Sequence, residues 1–130
     1  MDRDYRSFKD FQYDKVLEIC KENEFLLGIT NPNFEFYLLL HLDDSLSMDK
    51  EEIRTNPRKT SNKKLIEYTL NEKMKEYGCT YKKNNYDANL FIDKFTDFKK
   101  NINNYVDDNR LLKNEIGSSI HHIMNRLLEY

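Results

Sequence analysis

Residues 91–105 read Phe91-Ile92-Asp93-Lys94-Phe95-Thr96-Asp97-Phe98-Lys99-Lys100-Asn101-Ile102-Asn103-Asn104-Tyr105. Phe91, Phe95, Phe98, Ile102 and Tyr105 recur at steps of four, three, four and three. Side chains at that spacing share one face of an α-helix, so the stretch predicts a helix from Asn89 to Asn104. Asp107-Asp108-Asn109 interrupts the pattern and offers helix caps. Leu112, Ile116, Ile120, Ile123 and Leu127 then mark a second apolar face, and a last helix is expected from Leu111 to Leu128. Two amphipathic helices joined by a short polar turn fold back on each other. The expected C-terminal feature is therefore an antiparallel helix hairpin.

Working back toward the start, the same periodicity gives a helix from Lys9 to Asn23, with Tyr13, Val16, Leu17 and Cys20 on one stripe. Another runs from Asn62 to Tyr77 on Ile66, Leu70, Met74 and Tyr77, with Gly78 as its C-terminal cap. Asn31-Pro32 reads as an N-cap followed by proline at the first helical position. The run after it, residues 34–42, is almost continuously apolar. It predicts a short buried helix, with a minor buried strand as the alternative, because a run this short has no decisive period. Asp43-Asp44 and Ser45 break that run, and Ser47 caps a polar helical turn over 48–54. Residues 55–60, with Pro57 and several cations, form the expected loop. The fold class that follows is mainly α: one small helical domain over residues 1–130.

The composition narrows the function classes. The 130 residues suit a single domain, and 38% are apolar, enough for a core without a disulfide or metal staple. With 21 basic and 23 acidic residues the formal net charge is −2, so no global field favours nucleic acid or an anionic membrane. No run approaches the ~18 apolar residues of a membrane span, and Met1-Asp2-Arg3-Asp4 is not a secretory start. The expected compartment is the cytosol. Cys20 and Cys79 have neither disulfide nor metal spacing and read as free thiols.

No constellation in the sequence runs an enzyme reaction unaided. The acidic doublets lie in or beside turns, and adjacent residues diverge on a helix, so they read as caps. Arg58, Lys59, Lys63 and Lys64 read as a solvated loop, and Lys82-Lys83 with Tyr81 and Tyr86 as a weaker version of it. Three glycines, Gly28, Gly78 and Gly117, make no phosphate loop. His41, at the end of an apolar run, reads as a satisfied edge residue. His121 and His122 diverge by about 100° on a helix and have no carboxylate or cysteine four residues away, so no metal site and no cofactor are expected. Gly117, His121 and Asn125 align along the helix, and His122 aligns with Arg126. This polar face reads as solvent-facing surface or as a site built against another element.

Ser119-Ile120-His121-His122-Ile123-Met124-Asn125-Arg126-Leu127 resembles the C-terminal signature of lanthipeptide dehydratases and thiopeptide-type bacteriocin biosynthesis proteins. His121, Asn125, Arg126 and Leu127 match its spacing, and Leu38 to Ile53 loosely resembles an earlier helical region of those domains. The resemblance implies a cytoplasmic part in lantibiotic or other peptide-antibiotic biosynthesis, eliminating glutamate from a glutamylated peptide. His121 would be the catalytic acid/base, a role that suits the unperturbed pKa of histidine, with Asn125 and Arg126 as binding residues. No equivalent of that family's arginine clamp can be named, so the chain is expected to work with a protein or peptide partner. The alternative is a small helical protein-interaction module of a bacteriocin-immunity, phage-encoded or regulatory kind.

Overall fold

A computed structural model describes residues 1–42 and 48–128, with the backbone alone for Leu128. The expected break at Asp43-Asp44 and Ser45 and the expected cap at Ser47 lie outside the described residues. Among those described there are seven α-helices: α1 (Asp10–Glu22), α2 (Phe34–Leu39), α3 (Lys50–Thr55), α4 (Leu65–Lys75), α5 (Ala88–Asp93), α6 (Phe95–Asn101) and α7 (Ile120–Leu128). Two short strands, β1 (Thr30–Asn31) and β2 (Gly117–Ser118), form one antiparallel pair. The chain is mainly helical, as its periodicities predict. No helix among the described residues is long and apolar enough to cross a membrane.

The run at 34–42 resolves as helix α2, with no strand in it. The Asn33 side chain accepts a hydrogen bond from the Phe36 N–H at 3.2 Å and so starts the helix. That cap lies two residues beyond the one expected, because Asn31 belongs to β1. Every residue from Glu35 to Leu39 is buried. A helix that is apolar almost all round sits inside the protein, which explains why its sequence has no stripe. Ile66, Leu70 and Met74 on α4 face it, all fully buried. Gly78, in the left-handed region at φ 74°, follows α4, where the Cys79 N–H bonds to the Met74 carbonyl at 3.0 Å.

The predicted hairpin changes in both arms. The first divides at Lys94 into α5 and α6 and ends in a 3₁₀ turn, Ile102–Asn104. Phe91, Phe98 and Ile102 still enter the core, while Phe95 and Tyr105 are half-buried. The second arm is not a helix from Leu111 to Leu128. It comprises a 3₁₀ turn (Leu111–Lys113), then β2, then α7. Glycine and serine are weak helix formers, and residues 117–118 satisfy their backbone against β1 instead. Leu112 leaves the face it was expected to share and packs with Tyr13 and Ile29 in a second cluster.

His41 is at the centre of the main cluster, not at an edge. Its ring lies among Tyr37, Phe91, Phe95 and Phe98, with centroids 4.7–6.1 Å away. Its Nδ1–H donates to the Tyr37 carbonyl at 2.9 Å. Burial pushes its pKa down to about 4, against a smaller upward effect of that hydrogen bond.

Two outcomes follow from this core. Phe98, with no exposure, should lose about 3–5 kcal/mol on Phe98→Ala in chemical denaturation, and half-buried Phe95→Ala should lose less. A depressed histidine pKa means that the unfolded chain takes up a proton at higher pH than the folded one. Stability is then lost as pH falls from about 6.5 toward 4, by about 2 kcal/mol between pH 7 and pH 5. Denaturation at several pH values should show this slope, and His41→Gln should flatten it.

Candidate functional site

Four segments far apart in sequence meet edge to edge. Asp2 bridges Thr30 in parallel, β1 pairs antiparallel with β2 in the register Thr30–Ser118 and Asn31–Gly117, and Val106 bridges Gly117 in parallel. Side chains brace this ribbon. Thr30 Oγ1 and Ser118 Oγ lie 2.8 Å apart, and Asn31 Nδ2 donates to the Leu112 carbonyl at 2.9 Å and to the Tyr5 hydroxyl at 2.7 Å. Ser119 Oγ accepts from the Ile29 N–H at 2.9 Å and donates to Asn109 Oδ1, while Asn109 Nδ2 donates to the Leu27 carbonyl at 2.9 Å. The ribbon thereby fixes the loop after Val106 against the start of α7.

Gly117 makes the last contact possible. A Cβ there would lie 1.8 Å from the Val106 carbonyl oxygen, a backbone atom with no freedom to move aside. Only glycine allows the two backbones this close.

The ribbon delivers Asp107 to His121 and His122. Asp107 Oδ2 is 3.4 Å from His121 Nε2 and 3.2 Å from His122 Nε2, and the Asp107 carbonyl is also 3.2 Å from His122 Nε2. The two imidazole centroids are 4.1 Å apart. Neighbouring positions on a helix do diverge, but at the first turn of α7 both rings reach one carboxylate. His121 faces inward: it is 5% exposed, with Phe98 at 5.2 Å. Its Nδ1 is buried with no hydrogen-bond partner among the described residues. Burial holds its pKa below the ordinary histidine value, the neighbouring His122 lowers it further, and Asp107 opposes them. His122 stands on the exposed side of the pair.

Asn125 follows one turn later, half-buried, and Arg126 is exposed. His121 therefore meets Asp107 and His122, while Arg126 points into a separate groove. Leu17, Cys20, Phe25, Leu26, Leu27 and Ile123 form the apolar lining of that groove. Lys21, Arg110 and Arg126 bring cations to it, Glu18 and Asp108 bring carboxylates, and His122 joins it to the Asp107 cluster.

The basic loop reaches a polar cleft lined by Arg6, Arg54, Arg58, Lys63, Lys64 and Lys83 and by the carboxylates of Asp2, Asp4, Glu35 and Glu67. Arg58 donates to the Ser61 carbonyl at 2.6 Å, and Arg58 and Lys64 form a backbone bridge. Sequence reasoning missed Asp107 as a partner of the histidines, because it lies 14 residues from His121 and read as a cap. The signal that was present is Gly117-Ser118-Ser119, a helix-weak triplet inside an expected helix.

The family model for RloB-like proteins matches residues 1–127. The chain belongs to the RloB-like family. No curated protein and no solved structure matches it. Membership over nearly the whole chain overturns the resemblance to lanthipeptide dehydratases, and with it the assignment to bacteriocin or lantibiotic biosynthesis. The nine residues that carried that likeness lie in a different framework. Ser119 binds the 27–29 segment and Asn109, and the motif helix begins only at Ile120. A short helical signature fixes spacing and nothing about what packs around it.

Gly117→Ala should cost about 3 kcal/mol in denaturation, since a backbone clash has no cheap relaxation. It should also separate Asp107 from the histidines, seen as a change in the imidazole NMR shifts of His121 and His122. An alanine variant of wild-type stability and unchanged histidine shifts would contradict this role.

Proposed function

We propose that the chain acts by docking a partner protein, with an amphipathic helix of that partner seated in the groove between α1, residues 25–27 and α7. The observation that carries the reading is the placement of Phe25 and Leu26. They are 64% and 57% exposed on the wall of an apolar groove. Large apolar side chains held in water beside a concave apolar surface mark interaction sites. Leu127, 64% exposed, lies one turn beyond the groove residue Ile123 and extends the same face.

The cations select the occupant. Lys21, Arg110 and Arg126 favour a helix whose apolar face is flanked by aspartate and glutamate. Asp108 pairs with Arg110 at 3.4 Å and Glu18 with Lys15 at 3.7 Å, which leaves Lys21 and Arg126 as the stronger contributors. A groove that recognises apolar anchors at helical spacing needs no catalytic group of its own.

The test is selection of a displayed library of helical peptides on the wild-type chain, with counter-selection on Leu26→Asp. Enriched peptides should carry apolar residues at i, i+3 or i+4, and i+7, flanked by acids. Their affinity should fall at least tenfold on Phe25→Asp or Leu26→Asp, the loss of about 1.4 kcal/mol or more. Enrichment of peptides that bind both forms equally would overturn the reading. So would concentration-dependent self-association abolished by the same substitutions, which would make a second copy the occupant.

A further inference from the structure

We propose that Asp107, His121 and His122 bind a divalent transition-metal ion of the zinc type. The three side chains offer one ligand atom each, all within 4.8 Å of one another. Zinc sits about 2.0–2.2 Å from imidazole nitrogen and carboxylate oxygen, so neighbouring ligands in a tetrahedral shell stand about 3.4 Å apart. The Asp107–His121 and Asp107–His122 separations are 3.4 and 3.2 Å. They are long for charged hydrogen bonds and match two edges of that shell, and the two histidine ligand atoms lie within 4.8 Å of each other.

The donor chemistry points the same way. Two imidazoles tilted at 37° to each other flank one carboxylate. Neutral imidazole is the form that ligates. Two nitrogens and one oxygen suit zinc or a neighbouring transition ion and disfavour magnesium and calcium, which take oxygen shells.

The buried side of the cluster limits how tightly it binds. His121 is more than nine-tenths buried, yet its Nδ1 has no hydrogen-bond partner among the described residues. A metal at Nε2 puts the ring proton on Nδ1, a buried donor with no acceptor, so this nitrogen limits the site rather than favouring it. The same orphaned Nδ1 sets the strength of the site. Ligating histidines normally donate their second nitrogen to an acceptor, and lacking it weakens binding by about 10–100-fold. The site is therefore a three-ligand one of moderate affinity, with a fourth position open to water. The framework is rigid where it matters, since the Val106–Gly117 bridge holds Asp107 and the Ser119 hydrogen bonds hold the start of α7.

The proposal stands apart from the groove reading and is tested apart from it. The chain, stripped with a chelator, is titrated with Zn2+ against a chromophoric chelator, and Co2+ is added separately to read its visible absorption. One equivalent of Zn2+ should bind, Mg2+ should not compete, and Co2+ should give the intense bands of a tetrahedral nitrogen and oxygen shell. His122→Ala and Asp107→Ala alter exposed side chains and leave the core in place. Each should weaken Zn2+ binding at least tenfold with an unchanged circular dichroism spectrum, and Phe25→Asp should leave it unaltered. No binding by the wild-type chain, or a loss below tenfold in both cluster variants, would overturn the proposal.

Discussion

The contact between the backbones of Val106 and Gly117 is the constraint on which the rest of the site depends. It joins the loop that carries Asp107 to the strand that leads into α7, at a distance no side chain tolerates. From that point β2 pairs with β1, and β1 in turn bridges Asp2. Residues separated by more than a hundred positions are thus locked edge to edge by hydrogen bonds that a helix would have kept to itself. Two strands of two residues each would not survive alone in water. They persist because Thr30, Asn31 and Ser118 are fully buried, with the Thr30 and Ser118 hydroxyls paired to each other and the Asn31 amide N–H groups donating to Leu112 and Tyr5.

Arg3 secures the N-terminal side of the same ribbon. Its guanidinium is fully buried, yet it donates to the Lys113 carbonyl at 2.8 Å, to the Phe8 carbonyl and to Asp10 at 2.7 Å. Tyr5 and Tyr13 stack against it, at 4.2 and 4.9 Å. A buried charge is tolerable when its donors are used and aromatic faces replace water. This clamp ties the start of α1 to the 3₁₀ turn at residues 111–113. The second apolar cluster, Tyr13, Ile29 and Leu112, therefore forms around a cation as much as around hydrocarbon.

The two histidine environments show how burial sorts chemically identical residues. His41 is enclosed by rings and satisfied at Nδ1, so it serves the core and titrates far below neutrality. His121 is nearly as enclosed but is left with an open nitrogen and a carboxylate, shared with an exposed neighbour. The difference arises from what packs against each ring: aromatic side chains around His41, and the Asp107 loop beside His121 at the first turn of α7.

The helices at 10–22 and 65–75 were legible in the sequence because a period of 3.6 in apolar residues leaves one solution for burying them. The aromatic stripe from Phe91 to Tyr105 was legible for the same reason, and so were the mainly helical class and the cap at Gly78. Residues 34–42 had no period to read, and burial on all sides decided for a helix. The last apolar series had a helical period and still failed as one helix. Leu112 and Ile116 found partners in two different clusters, and the backbone of Gly117 and Ser118 was claimed by β1. Asp107, His121 and His122 could be read only as a turn acid and two diverging polar residues. Their meeting depends on a long-range backbone bridge, and no local spacing encodes which distant strand will accept a hydrogen bond.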